Sequence, residues 1–306
     1  FESAIVRIQP SGQITVATGA SEQGQGIIHS LAQICAEALG VNPEAVSVTG
    51  GDTSAVSIGM GTFASRQAVT AGTSVHVAAT ELRNKALKIG AHMLEAAEED
   101  LELVDGTVRV RGVPEMAVPL GKIAHAVAGT PGFALPFGIE PGMEAEHNFM
   151  PEGLAYCSGS QAAEVEVDVE TGGVTILRYI AVQDSGTRIN PMIVDGQMQG
   201  GIVHGMGNAL FERLHHDENG QPLTTSLDQY LLPTATGVPS IALHYDDTAC
   251  TKNPLGIKGV GEGGTVPVPG VIISAVENAL SPFGIFVDRC PIEPMHLVKL
   301  ILAAQQ

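Results

Sequence analysis

Glycine supplies 37 of the 306 residues, well above the usual ~7%, and the excess is gathered rather than spread. Four clusters stand out: Gln23-Gly24-Gln25-Gly26, Gly59-Met60-Gly61, the run from Gly196 to Gly207, and the run from Gly256 to Gly264. A flexible linker would scatter its glycines through polar sequence. These instead stand at the edges of apolar, periodic segments. Glycine lets backbone approach a neighbour closely, so the fold must bring main chain near another segment or a ligand at these places.

The segments between the clusters have readable periods. Ala4–Ile8 and Ile14–Val16 flank a Pro10-Ser11-Gly12 turn and form a β-hairpin. A polar loop follows through Gly26. Apolar residues then fall at Ile27, Ile28, Leu31, Ile34, Cys35, Ala38 and Leu39, a helical spacing closed by Gly40. Ala45–Thr49 reads as a strand, Gln67–Ala97 as one long helix, and Asp105-Gly106 as the turn between two short strands. From Gln161 the plan recurs. Ala163–Val169 alternates, turns at Thr171-Gly172-Gly173, returns as Val174–Val182, and a polar loop leads to a helix over Pro191–Leu210. Gly26-Ile27-Ile28-His29 resembles Gly201-Ile202-Val203-His204, so each half is expected to enter a helix through this tetrapeptide. A last helix is expected over Pro269–Leu280. The prediction is an α+β chain of two related mixed α/β subdomains, residues 1–150 and 151–306, joined near the Pro- and Gly-rich stretch Thr130–Gly142.

Charge and composition exclude several functions. Lys plus Arg is 15 and Asp plus Glu is 33, a net charge of 15 − 33 = −18, which opposes nucleic acid and anionic membranes as partners. No apolar run approaches the ~18 residues of a membrane span. Four scattered cysteines without Cys-x-x-Cys spacing argue against a zinc or iron–sulfur site built by this chain, and fit a reduced, cytoplasmic protein. His215-His216 sits beside Asp217–Gly220 and reads as a solvated turn. The chain does not start with Met, and is expected to be processed or incomplete at its front.

Each cluster admits a bland reading and a chemical one. Gln23–Gly26 is a capped turn, or a helix start offering backbone N–H groups to an anion. Ser65, Arg66 and Gln67 open the long helix, where Arg66 is a surface residue or a bidentate phosphate ligand. Interior glycines cost about 1 kcal/mol each relative to Ala, so those from Gly196 to Gly207 serve close helix packing or a ligand lying along the backbone. Glu262 is the only carboxylate between Lys252 and Pro267 and has glycine on both sides. It is a structural loop residue, or a general base that must reach a reacting centre.

Taken in order, these segments resemble the molybdenum-binding subunit of the molybdenum hydroxylase family, which includes xanthine oxidase, aldehyde oxidase and carbon monoxide dehydrogenase. The matching text is Gln23–Gly26, Thr62–Gln67, Glu164–Asp168 with Thr171-Gly172, Ile189-Asn190-Pro191, Gly196-Gln197 with Gly200–Gly207, and Asn253–Thr265. The resemblance implies a molybdopterin cofactor carrying molybdenum, in bacterial members usually the cytosine dinucleotide, with no metal ligand from the protein. It assigns cofactor binding to Gly24, Gln25, Gly26, Phe63, Ala64, Ser65, Arg66, Gln67, His204, Lys258, Gly259, Val260 and Gly261, and catalysis to Glu262. Many relatives carry Gln at position 204. Gly263-Gly264 stands where xanthine dehydrogenases carry two prolines, which argues against a purine.

The implied reaction is hydroxylation of a small molecule, an N-heterocycle, an aldehyde or similar, with water as oxygen source and Glu262 as base. Electrons would leave through an iron–sulfur subunit with [2Fe–2S] clusters and an FAD subunit. A further chain would carry the first half of the molybdenum subunit. A non-catalytic scaffold or assembly subunit, and a nucleotide-binding module without redox chemistry, are the competing readings.

Overall fold

The computed structural model describes residues 1–306 as two compact units. The first comprises Phe1–Ala155 with Ala249–Lys258, and the second comprises Tyr156–Thr248 with Gly259–Gln306.

In the first unit, β1 (Glu2–Ile8) and β2 (Ile14–Thr18) form the expected hairpin, followed by α1 (Ile27–Leu39), β3 (Val46–Gly50) and α2 (Gln67–Leu94). A small antiparallel sheet, β4 (Leu101–Val104), β5 (Thr107–Val110) and β6 (Val113–Pro119), leads through α3 (Leu120–Val127) to β7 (Glu144–Phe149). The main sheet runs β3-β2-β1-β7, with β3 parallel to β2 and the other pairs antiparallel. Period-2 alternation turns Glu2, Ala4, Val6 and Ile8 of β1 to the buried face. Helix α2 packs on β1, β7 and α1, and α1 buries Ile27, Leu31, Ile34, Cys35 and Leu39 at helical spacing. Each such aliphatic side chain taken from water contributes about 1.5–3 kcal/mol.

The second unit repeats the plan. Strands β8 (Ser158–Val167) and β9 (Val174–Asp184) form an antiparallel hairpin, α4 (Pro191–Leu210) follows, and β10 (Ile241–Tyr245) pairs parallel to β9. Then come α5 (Val268–Ala279) and α6 (Pro294–Ala304). Strand–strand–helix–strand–helix, with the third strand parallel to the second, is therefore common to both units. The core here gathers Tyr179, Met198, Ile202, Met206, Ile272 and Leu297, all less than 2% exposed.

The structure departs from sequence expectation in several places, among them the stretch Thr130–Gly142, which lies within the first unit, and β8, which spans Ser158–Val167. Helix α2 stops at Leu94, because Glu95 turns to φ 51° and its N–H closes on Ala91 O. Ala45 ends a short 3₁₀ turn, and β3 begins one residue later. Helix α5 begins at Val268, one residue before the expected start. Gly201–His204 lies in the middle of α4 and does not open it. That helix starts at Pro191, whose missing N–H costs nothing at a first helical position, and the Asn190 side chain accepts from Ile193 N–H at 3.1 Å. The duplicated plan is topological, while the shared tetrapeptide occupies different turns of the two helices.

Candidate functional site

Two glycine-bearing loops of the first unit meet at Thr62. Its hydroxyl donates to Ser21 O at 2.7 Å and accepts from Ser21 N–H at 2.9 Å, and Gln23 Nε2 donates to Thr62 O at 3.2 Å. Gly24, Gln25 and Gly26 are thus brought beside Phe63–Gln67. Gln25 is folded onto its own loop, donating to Ser21 O at 2.9 Å and accepting from Gln23 N–H at 2.6 Å. At the start of α1 the anion is the chain's own. The Glu22 carboxylate accepts from Gly26 N–H at 3.0 Å and Ile28 N–H at 3.1 Å, which satisfies orphan donors of that helix end.

The start of α2 differs. It has no side-chain cap and no acidic residue in its first turn. Immediately before it, Ala64 (φ 51°) and Ser65 (φ 53°) both occupy the left-handed region, at about 1–2 kcal/mol per residue for a side chain with a β-carbon. Strain of this kind persists where surrounding contacts over-determine the backbone, and it gathers at ligand clamps. Here those contacts come from Glu2. Its carboxylate is wholly buried and accepts from Arg66 Nη1 and Gln67 Nε2, each at 3.1 Å, and from Met60 N–H at 3.4 Å. Arg66 also donates to Gly61 O at 2.8 Å and to Phe1 O, and Gln67 Nε2 donates to Gly61 O. The Arg66 guanidinium lies 5.1 Å from the centre of the Phe63 ring. Arg66 and Gln67 hold the loop from within, while Phe63 is half exposed. Sequence reasoning singles out Thr62 only as part of the Thr62–Gln67 segment, and does not single out Glu2. The signal for Glu2 was a charged residue in register with Ala4, Val6 and Ile8 on the inward face of a strand.

In the second unit Glu262 stands exposed on a turn whose backbone closes on itself. Gly263 N–H donates to Val260 O, and Thr265 N–H and Val266 N–H donate to Glu262 O. The turn is pressed against α4. A β-carbon on Gly264 would lie 2.6 Å from Met198 O and 3.1 Å from Gly201 Cα, and one on Gly205 would lie 2.4 Å from Val268 Cβ. Gly201 and Gly205 therefore serve close packing, whereas Gly196 and Gly200 face open space. His204 is exposed on the same helix. Lys258 ends the outlying segment of the first unit, and Gly259, Val260 and Gly261 begin the corresponding segment of the second.

A family model for the molybdopterin cofactor-binding domain matches residues 1–239. The chain belongs to the molybdenum hydroxylase family. It is 37% identical over 298 residues to the nicotine 6-hydroxylase large subunit of Paenarthrobacter nicotinovorans, covering 97% of this chain and 36% of that protein. It is 37% identical over 279 residues to the carbon monoxide dehydrogenase large chain of Afipia carboxidovorans, covering 91% of this chain and 34% of that one. Among solved structures, quinoline 2-oxidoreductase from Pseudomonas putida 86 superposes with a TM-score of 0.89 at 38% identity, over 98% of this chain and 38% of that chain. The chain thus spans little more than a third of the length of these molybdenum hydroxylases and relatives.

The residues present fit a phosphate-bearing pterin. The loops that meet at Thr62 offer glycine backbone, an uncapped helix start for negative charge, and a strained pair at its threshold. No group of three or more acidic, His or Cys side chains is placed to hold a metal ion. No helix is long and apolar enough to cross a membrane.

Proposed function

We propose that this chain forms the cofactor-binding, catalytic-base portion of a molybdenum hydroxylase that oxidises a small molecule such as an N-heterocycle or an aldehyde, with water as oxygen source. The observation that carries the reading is Glu262, an exposed carboxylate on a glycine-bearing turn packed against α4. When bound, the molybdenum group supplies activation of water and takes up the electrons removed from substrate. Glu262 accepts a proton on a carboxylate oxygen as the new bond to carbon forms, the work of a positioned general base. Gly24, Gln25, Gly26, Phe63, Ala64 and Ser65 hold the pterin and its phosphates, Arg66 and Gln67 hold that loop in shape from within, and Lys258–Gly261 and His204 are further contacts. The pterin is taken in the cytosine dinucleotide form that the family resemblance implies. Partners are an iron–sulfur subunit with [2Fe–2S] clusters and an FAD subunit, in the cytoplasm.

Metal and nucleotide analysis of the assembled complex tests the cofactor assignment. About one molybdenum per chain, with cytidine nucleotide released on acid treatment, is expected for a single cofactor site. Fully assembled, active material without molybdenum would overturn it. The base is tested by Glu262→Gln. Turnover should fall at least about a hundredfold, with molybdenum content retained. A loaded variant of nearly full activity would place the base elsewhere.

A further inference from the structure

The Glu262 turn is gripped from two sides. Helix α4 presses on Gly264 from one. From the other, the Gln161 side chain of β8 reaches across and its Nε2 donates to both Gly263 O and Gly264 O, each at 3.2 Å. The opposite end of the same amide, Oε1, accepts the Tyr179 hydroxyl at 2.6 Å. This orientation is the one chemistry permits. Reversing the amide would point its oxygen at two carbonyl oxygens, leaving two acceptors facing a third. Tyr179 stands on β9 with 2% exposure, and burial pushes its phenol pKa upward, so it remains a donor at any working pH. Gln183, also on β9, closes the remaining gap, since a β-carbon on Gly263 would lie 3.1 Å from its Oε1.

We infer that Gln161, oriented by Tyr179, is the positioning residue for Glu262 and holds the turn that carries the base in its reactive geometry. The inference rests on Glu262 being the base. Packing and the turn's own hydrogen bonds set its path, while the Gly263 and Gly264 carbonyls keep some freedom to tilt, because neither residue has a side chain to restrain them. One side-chain amide bonded to both removes that freedom without touching the carboxylate. The hydrogen bonds of the two side chains go to the turn and to each other. Their effect is on where Glu262 stands.

The test uses the assembled, molybdenum-loaded enzyme with Gln161→Met and Tyr179→Phe, each made with and without Glu262→Gln. Gln161→Met should lower kcat at least about tenfold with KM and molybdenum content unchanged, because misplacing a reacting group costs turnover more than binding. In the Glu262→Gln background the same change should have no further effect. Hydrogen exchange gives a readout independent of turnover. The Gly263, Thr265 and Val266 amides should exchange about tenfold faster in the variant while the amides of α4 keep their protection. Unchanged exchange in the turn, or a turnover loss that persists without Glu262, overturns the proposal. If Gln161→Met loosens the whole unit, Tyr179→Phe decides, since it keeps the ring packing and removes only the hydroxyl. If Glu262→Gln is itself active, the base assignment fails, and the exchange measurement still shows whether Gln161 holds the turn.

Discussion

Glu2 shows how much one side chain can decide. A carboxylate with no exposure must be matched by donors, and Arg66, Gln67 and the Met60 amide supply them. Its second oxygen, Oε1, has no partner and is walled in by the backbone of Gly19 and Gly59. Removing one partner of a buried ion pair typically costs about 3–5 kcal/mol, because the other charge is left uncompensated. Glu2→Leu should therefore lower unfolding free energy by roughly that amount in denaturant titration, whereas a surface change of similar size should not. Cys35 is the reverse case, an apolar burial with a titratable atom. Burial pushes its thiol from 9.0 up to about 12. A raised pKa in the folded state favours the protonated form there, so this contribution is whole below pH 9 and lost as pH rises from 9 through 12. Stability should decline across that window, and at pH 8 a thiol reagent should reach Cys35 last of the four cysteines.

At the scale of elements, α4 carries five glycines that sequence alone left divided between packing and ligand. The two explanations separate position by position. Replacing glycine by alanine inside a helix ordinarily gains about 1 kcal/mol. Gly200 faces open space, so Gly200→Ala should raise the melting temperature. Gly205→Ala should lower it, because the new methyl carbon would stand 2.4 Å from Val268 Cβ and force α4 and α5 apart. A pair of thermal melts checks both signs. The outcome bears on function, since spreading these helices would also release the turn that carries Glu262.

At the scale of the molecule, an excess of 18 negative charges acts through the long-range field. The chain should pass through heparin and DNA matrices without retention even at low salt, where a basic protein would be held most strongly.

The hairpins, the spans of α1 and α4 and the duplicated plan were legible because each rests on local rules. Strand alternation, helical spacing and Gly or Asn-Pro boundaries depend on residues a few positions apart. Close approach of the glycine clusters was legible only in part, since Gly59, Gly201, Gly205 and Gly264 do meet a neighbour closely while Gly24, Gly61, Gly196 and Gly200 meet nothing within 4 Å. What they approach was not legible. Only tertiary structure set Glu2 against Arg66, 64 positions away, and Gln161 against the Gly263 and Gly264 carbonyls more than 100 positions away. Nor could sequence tell that the anion at the start of α1 is Glu22 while α2 is left uncapped, since both helices follow polar, glycine-bearing loops. Periodicity reports which face of an element is buried. The partner on that face is chosen by the packing of distant segments, where shape and unpaired polar atoms decide.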